Sequence, residues 1–299
     1  MKKTQIRNSL LLLLAAIIWG SAFVAQSTGM DHVEPFTFSM VRNFIGGFVL
    51  IPCIYLLRKG KKKNSNKLIT KAEVIGGICC GVALFAASNS QQIGIQYTTV
   101  GKAGFITALY VIIVPILGLF VKKKVPILIW LCVLLSVSGL YLLCMTGDSF
   151  SLAYGDLLVL MCAILFSFHI LIIDYFSPKA DSVVIACIQL FVCGILSGIV
   201  MLFAENPSVQ NIWDAKWSIL YAGVLSSAVA FTLQIVAQKD VNPTVASLIM
   251  CLESVVAVLA GWIILGEALS LREGLGCILM FIAIVLAQLP TPTKKKERI

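Results

Sequence analysis

A carboxylate in the middle of a long apolar run is the first residue in this sequence that invites a chemical role. Glu253 lies about ten residues into such a run. Ionisable groups are costly in hydrocarbon, so one that persists there is a functional candidate. Ala246, Met250, Ala257 and Ala260 share its stripe at helical spacing, and these slim side chains leave space beside it. Glu253 could bind a substrate ammonium or accept a coupling proton; the plainer alternative is a protonated side chain packed between helices. Lys102 is the second candidate. Shifting the sequence forward by 144 positions carries it onto Ala246, about two helical turns from Glu253, so both charges would border one cavity. The alternative is a lysine that snorkels to the interface. Arg42, also inside an apolar run, needs acceptors, and helix ends or Glu253 could supply them. That suits structural pairing better than substrate contact.

Amides are the next candidates. Asn89, Gln91, Gln92, Gln234 and Gln238 form polar patches in apolar stretches, where such groups often do no more than join helices. Gln92 and Gln234 are the ones placed on the pathway wall. His169 with Asp174 could relay a proton, though a single satisfied hydrogen bond is the simpler reading. Trp19 and Tyr110 could form an aromatic gate; with Phe105 and Trp262 they otherwise serve packing. The ten cysteines show no C-x-x-C spacing and read as packing residues. With two histidines, His32 and His169, far apart, no metal site is expected, and no cofactor. No nucleophile motif or Walker sequence appears, so neither an enzyme nor an ATP-driven pump is expected.

The elements that position these residues follow from composition. The chain is 59% hydrophobic and 12% charged, with a mean hydropathy of +0.98, so its solvent is lipid. Only helices or closed barrels satisfy their backbone there, and runs of roughly 20 apolar residues select helices. Ten such runs are expected, near 9–29, 36–57, 72–95, 99–120, 125–145, 154–174, 182–203, 216–238, 243–265 and 271–289. The basic, Leu-rich start imitates a signal peptide. Its apolar run continues past Trp19 to Gly29 without a convincing exit, and a retained first helix is expected.

Basic residues set the orientation. With the N-terminus in the cytoplasm, 19 of the 23 Lys and Arg fall in inner segments, and the outer loops keep only Lys216 and Arg272. The net charge of +9 is therefore a topology signal rather than a nucleic-acid footprint, and anionic lipid headgroups are its natural partners. Both termini are expected in the cytoplasm, at the inner membrane.

The shift of 144 also aligns the residues around Lys102 with those around Glu253, and upstream a shift of 147 pairs Gly47 with Gly194. The fold expected is all-α integral membrane, ten transmembrane helices as two inverted five-helix repeats, over 1–147 and 148–299. Five crossings per half force the second half to insert upside down. Such repeats build transporters whose site lies between the halves.

Four stretches carry a family likeness: IIWGSAF in the first run, MVRNFIGG in the second, QQIGIQYTTVGKAGFITALYVIIVPILG across the third and fourth, and ASLIMCLESVVAVLAGWIILGEALS across the last two. Together they resemble the drug/metabolite transporter superfamily and its EamA-type branch. That resemblance implies ten helices in two inverted repeats, a central cavity lined from both halves, and export of amino acids or similar small metabolites. The family's WG pair falls on Trp19 and Gly20, its helix-two arginine on Arg42, and its LGE turn on Leu265, Gly266 and Glu267. Lys122 and Lys123 stand where the second half has Gly266 and Glu267, so that turn is not symmetric.

The function read from the sequence is a secondary transporter exporting an amino acid or similar metabolite by alternating access, with a coupled proton as an option. A multidrug or toxic-cation exporter and an uptake permease for sugars or carboxylates are the rivals. A monomer and a homodimer are both open. One test is topological: reporters fused near residues 65 and 295 should fall on the same, cytoplasmic side, and signals from opposite sides would remove the ten-crossing arrangement.

Overall fold

A chain that lies in lipid can satisfy its amides within single helices, and every described element is helical. The computed structural model describes residues 2–60, 69–98, 100–120, 125–144, 154–265 and 270–287. The helices are α1 (Lys2–Gly29), α2 (Pro35–Gly60), α3 (Lys71–Ile95), α4 (Val100–Ala108), α5 (Tyr110–Phe120), α6 (Ile127–Cys144), α7 (Tyr154–Phe176), α8 (Ser182–Ala204), α9 (Val209–Asp214), α10 (Lys216–Leu220), a π-helix (Tyr221–Ala230), α11 (Phe231–Gln238), α12 (Pro243–Met250), α13 (Leu252–Leu265) and α14 (Leu271–Ala287).

Eight helical stretches are long and apolar enough to cross a bilayer, against ten expected. The fifth and tenth expected runs contain shorter apolar segments, Ile127–Gly139 and Gly274–Ala287. The turn at Gly266 and Glu267, the basic loop from 61 to 68, Lys122 and Lys123, and the expected repeat boundary at 147 lie outside the described residues. A short helix absent from the expectation, α9, precedes α10. Here Trp213 and Trp217 are exposed, with the Lys216 ammonium 5.0 Å from the Trp213 ring centre, a composition suited to a membrane interface. Large side chains face outward along many helices; Phe203 is 88% exposed and Leu202 72%. In water such a surface would aggregate, whereas lipid solvates it.

The interior faces hold the helices in a tight weave: α3 lies against α7 and α8, α2 against α8, α6 against α14, and α1 against α13 and the π-helix. Glycines set several of these crossings. A side chain added at Gly46 would put a Cβ 2.9 Å from the Gly223 carbonyl oxygen of the π-helix, and one added at Gly223 would come within 3.0 Å of the Arg42 carbonyl. Backbone meets backbone at that crossing.

Three spans are irregular at mid-length. Between α4 and α5 the helix breaks at Leu109, whose N–H bonds the carbonyl of Ile106 and whose own carbonyl accepts from Ile112, both in the tighter three-residue pattern. Pro115, one turn further on, has no N–H to offer Val111 and crowds its carbonyl. Between α12 and α13 the break falls at Cys251 and has a different cause. Ser247, Cys251 and Ser254 each turn their side chains back onto carbonyls three residues earlier, competing with the helical ladder. The third irregularity is the π-helix itself.

Helix ends are held by carboxylates from neighbouring segments. Glu205, just past α8, accepts from the N–H groups of Phe36 and Thr37 and from the Thr37 hydroxyl, each at 2.7 Å, and so closes the start of α2. Glu34 returns the contact by accepting from the Asn206 N–H at 3.3 Å. At the opposite end of α8, about 34 Å away for a helix of this length, Glu73 completes a capping box with Thr70 and accepts from the Asp181 N–H at 3.4 Å. Replacing Glu205 by alanine strands three donors and should cost about 1–3 kcal/mol. Detergent-purified Glu205→Ala should melt measurably below the parent, with Glu205→Gln in between; equal midpoints would show that α2 is capped by other groups.

Candidate functional site

Trp19, Phe23 and Gln26 lie on one face of α1 at helical spacing, and that face borders a cavity between the halves of the chain. Arg42 of α2, Gln91 of α3, Thr107 of α4, Tyr110 of α5, Phe166 of α7, Ser226 of the π-helix, Phe231 and Gln234 of α11, Met250 of α12 and Glu253 of α13 complete most of the wall. About 550 Å³ within it is free of atoms, but only about 50 Å³ is open to the centres of water molecules. That is room for a few waters. A metabolite the size of an amino acid requires the helices to move apart.

The irregular backbone of the mid-length breaks converges on this space. Tyr110 is the first residue of α5 after the break at Leu109, and Glu253 lies in the first turn of α13 after the break at Cys251. A half-helix N-terminus carries partial positive charge, which favours a carboxylate there. Glu253 is 5% exposed and has the Tyr110 hydroxyl as its neighbour, with Oε1 and that hydroxyl outside good hydrogen-bond geometry with any protein group. Gly20 makes this placement possible. A Cβ at that position would come within 2.5 Å of both the Glu253 carbonyl oxygen and the Val256 Cβ, so glycine lets α1 press against the first turn of α13. Its neighbour Trp19 donates its indole N–H to the Ser226 carbonyl of the π-helix at 3.3 Å and tilts onto Phe231, ring centres 5.0 Å apart.

Opposite in charge, Arg42 is likewise 5% exposed. Its Nη1 donates to Gln26 Oε1 at 3.0 Å, its guanidinium lies 5.6 Å from the Phe38 ring centre, and its Nε has no partner. No ion pair joins it to Glu253, although both border the same space. The wall thus presents a guanidinium, a carboxyl group, amides and aromatic faces, a combination that can receive a small dipolar molecule.

Of the residues singled out from the sequence, Trp19, Arg42, Gln91, Tyr110, Gln234 and Glu253 are brought together here. Gln92, Asn89 and His169 lie elsewhere. Gln92 is fully buried behind it, its amide 3.5 Å from the Gln26 carbonyl, while its neighbour Gln91 faces the cavity and donates to Thr107 Oγ1 at 3.0 Å. Asn89 ties α3 to α8 through Ser197 Oγ at 3.0 Å. His169 is fully buried against Gln189 at 3.1 Å, with Phe166 and Phe231 rings around it. Lys102 is on α4, with its side chain outside the described positions. Gln26 is a wall residue absent from the sequence candidates, although Trp19, Phe23 and Gln26 follow the i, i+4, i+7 pattern that marks one helix face.

Comparison with known proteins agrees with this architecture. The profile of the EamA-like transporter family matches residues 7–145 and again 153–289. An "Uncharacterized transporter" from Archaeoglobus fulgidus is 30% identical over 284 residues, covering 93% of this chain and 84% of the relative. "Uncharacterized transporter YoaV" of Bacillus subtilis is 26% identical, covering 92% and 94%, and "Uncharacterized inner membrane transporter YedA" of Escherichia coli is 24% identical, covering 91% and 88%. A solved structure, titled only as the crystal structure of a protein, superposes with a TM-score of 0.79 at 18% identity, covering 95% of this chain and 98% of its own. The fold is shared with it.

The packing at Gly20 can be checked directly. Gly20→Ala must push α1 away from α13 and should cost about 1–3 kcal/mol, read as a lower melting point in detergent. Gly274→Ala, with nothing within 4 Å of its added Cβ, should be neutral or slightly stabilising. Equal midpoints for parent and Gly20→Ala would mean that α1 does not press on α13 there.

Proposed function

The chain belongs to the EamA-like transporter family, and from that premise we propose that it is a secondary transporter exporting an amino acid or a similarly small dipolar metabolite by alternating access. In this reading the two halves, 1–147 and 148–299, are inverted five-helix repeats. Both termini lie in the cytoplasm, and the shorter helices α6 and α14 complete the ten crossings. The family profile matching twice along the chain supports a duplicated architecture. The distribution of Lys and Arg supports the orientation.

One observation carries the substrate class: the buried guanidinium of Arg42 and the buried carboxylate of Glu253 border one cavity without pairing with each other. A molecule with a carboxylate at one end and an ammonium at the other would satisfy both, and each contact would be strong because water is scarce there. The broken helices at Leu109 and Cys251 fit the same reading, since discontinuous spans form substrate sites near the midplane of many transporters. The narrowness of the cavity fits a conformation in which the pathway is closed around the site. Glu253 would receive the ammonium in one state and a coupling proton in the other, which links the two fluxes through one carboxylate.

A second reading rests on the aromatic wall. Trp19, Phe23, Phe166 and Phe231 beside Glu253 could receive an organic cation, as in a multidrug exporter. Arg42 on the same wall opposes it. Counterflow of labelled amino acids in proteoliposomes separates these readings. The parent should exchange one or more of them, and Glu253→Gln should lower that exchange at least about tenfold, the equivalent of 1.4 kcal/mol. Equal flux in both would remove Glu253 from the mechanism. Exchange of lipophilic cations without any amino acid would favour the second reading.

A further inference from the structure

A buried guanidinium ordinarily lies against a carboxylate, because an uncompensated charge away from water is strongly disfavoured. Arg42 departs from that pattern. Among the described residues it forms no ion pair, and its partners are the neutral Gln26 amide at 3.0 Å and the face of Phe38. Gln26 is itself 4% exposed, borders the cavity, and is tethered through its own carbonyl to Gln92 of α3. We propose that Gln26 is a specificity-determining positioning residue, which aims Arg42 at the cavity without cancelling its charge and thereby makes the site demand an anionic group on its ligand. The inference deepens the dipolar-substrate reading and rests on it for the class of ligand.

The chemistry of an amide suits the task. A guanidinium can only donate, so the Gln26 oxygen is committed to Arg42 and the amide NH2 keeps its two donors. The pair is therefore rich in donors: the amide keeps its own two, and Arg42 Nε has no protein partner. A carboxylate at position 26 would reach the same place and accept the same bond, yet it would complete an internal ion pair. The cavity would then hold its own counter-ion and no longer select an anionic ligand. One atom, nitrogen in place of oxygen, separates a site that recruits a carboxylate from one that refuses it.

The test compares Gln26→Glu and Gln26→Asn with the parent, all purified in detergent, by thermal shift. Without ligand, Gln26→Glu should melt above the parent, because it neutralises Arg42; an unchanged or lower midpoint, or a failure to fold, would overturn the proposal. With ligand, the probes are matched pairs of α-amino acids and their carboxamides, and simple carboxylates such as propionate. The parent should prefer the free carboxylate by about tenfold or more in half-saturating concentration, Gln26→Asn should keep most of that preference, and Gln26→Glu should bring the ratio to about one. A Gln26→Glu protein that retains the parent's preference would overturn the proposal, whatever its melting point. If propionate stabilises the parent while no amino acid does so better, the dipolar reading fails and the anionic demand of Arg42 stands. If neither carboxylates nor amino acids stabilise the parent over carboxamides, the role assigned to Gln26 is overturned too.

Discussion

Everything in this molecule is subordinate to one constraint: backbone amides exposed to hydrocarbon must find partners inside the chain. Where helices face outward the ladder is regular, as along α7 and α8. Where it is interrupted, at Leu109, at Cys251 and through the π-helix, the neighbouring Tyr110 and Met250 and the π-helix's own Ser226 reach the cavity wall. The two breaks differ in their surroundings: Pro115 follows the first within α5, while Ser247, Cys251 and Ser254 bond back onto the backbone around the second. Both leave a helix start next to a polar side chain, Tyr110 or Glu253. Among the described spans, irregular backbone thus gathers beside the cavity, where chemistry requires it.

The charged groups obey the same logic from the side-chain direction. Glu205 and Glu73 are placed at the ends of α8, where helix starts offer N–H donors and the carboxylates close the fold. Arg42 and Glu253 are placed mid-span, where each is held by few protein contacts. Four acidic or basic side chains therefore divide into two kinds by what surrounds them: those whose hydrogen-bonding capacity is consumed by the protein, and those whose capacity is left for a visitor.

Much of this is legible in the amino-acid sequence. The apolar runs locate the eight long spans to within several residues, since length and hydropathy are set by bilayer thickness. A charge inside such a run announces itself, which is why Arg42 and Glu253 stand out. Helix phase in a polar-rich stretch is harder to read. Asn89, Ser90, Gln91 and Gln92 cover every side of α3, and adjacent residues point about 100° apart, so spacing does not decide that Gln91 rather than Gln92 faces the wall. The break at Cys251 is hidden because it comes from serine and cysteine side chains bonding locally, without a proline or glycine to mark it. Gln26 is an isolated amide near the end of the first run, and only the face it shares with Trp19 and Phe23 distinguishes it.

The crossing of α2 with the π-helix has a mechanical implication. At Gly46 and Gly223 the missing side chains bring the two backbones close, and Ser227 and Ile45 of the facing helices press into the gaps, while the same stretch of α2 carries Arg42 and the π-helix carries Ser226. Interdigitated residues act as teeth and allow a helix to rest in only a few discrete registers. Ile45 and Ser227 are teeth of this kind, each seated in the notch left by a glycine of the facing helix. This crossing is therefore a keyed joint, where one wall of the cavity can travel past the other only when those two side chains are lifted out of their notches.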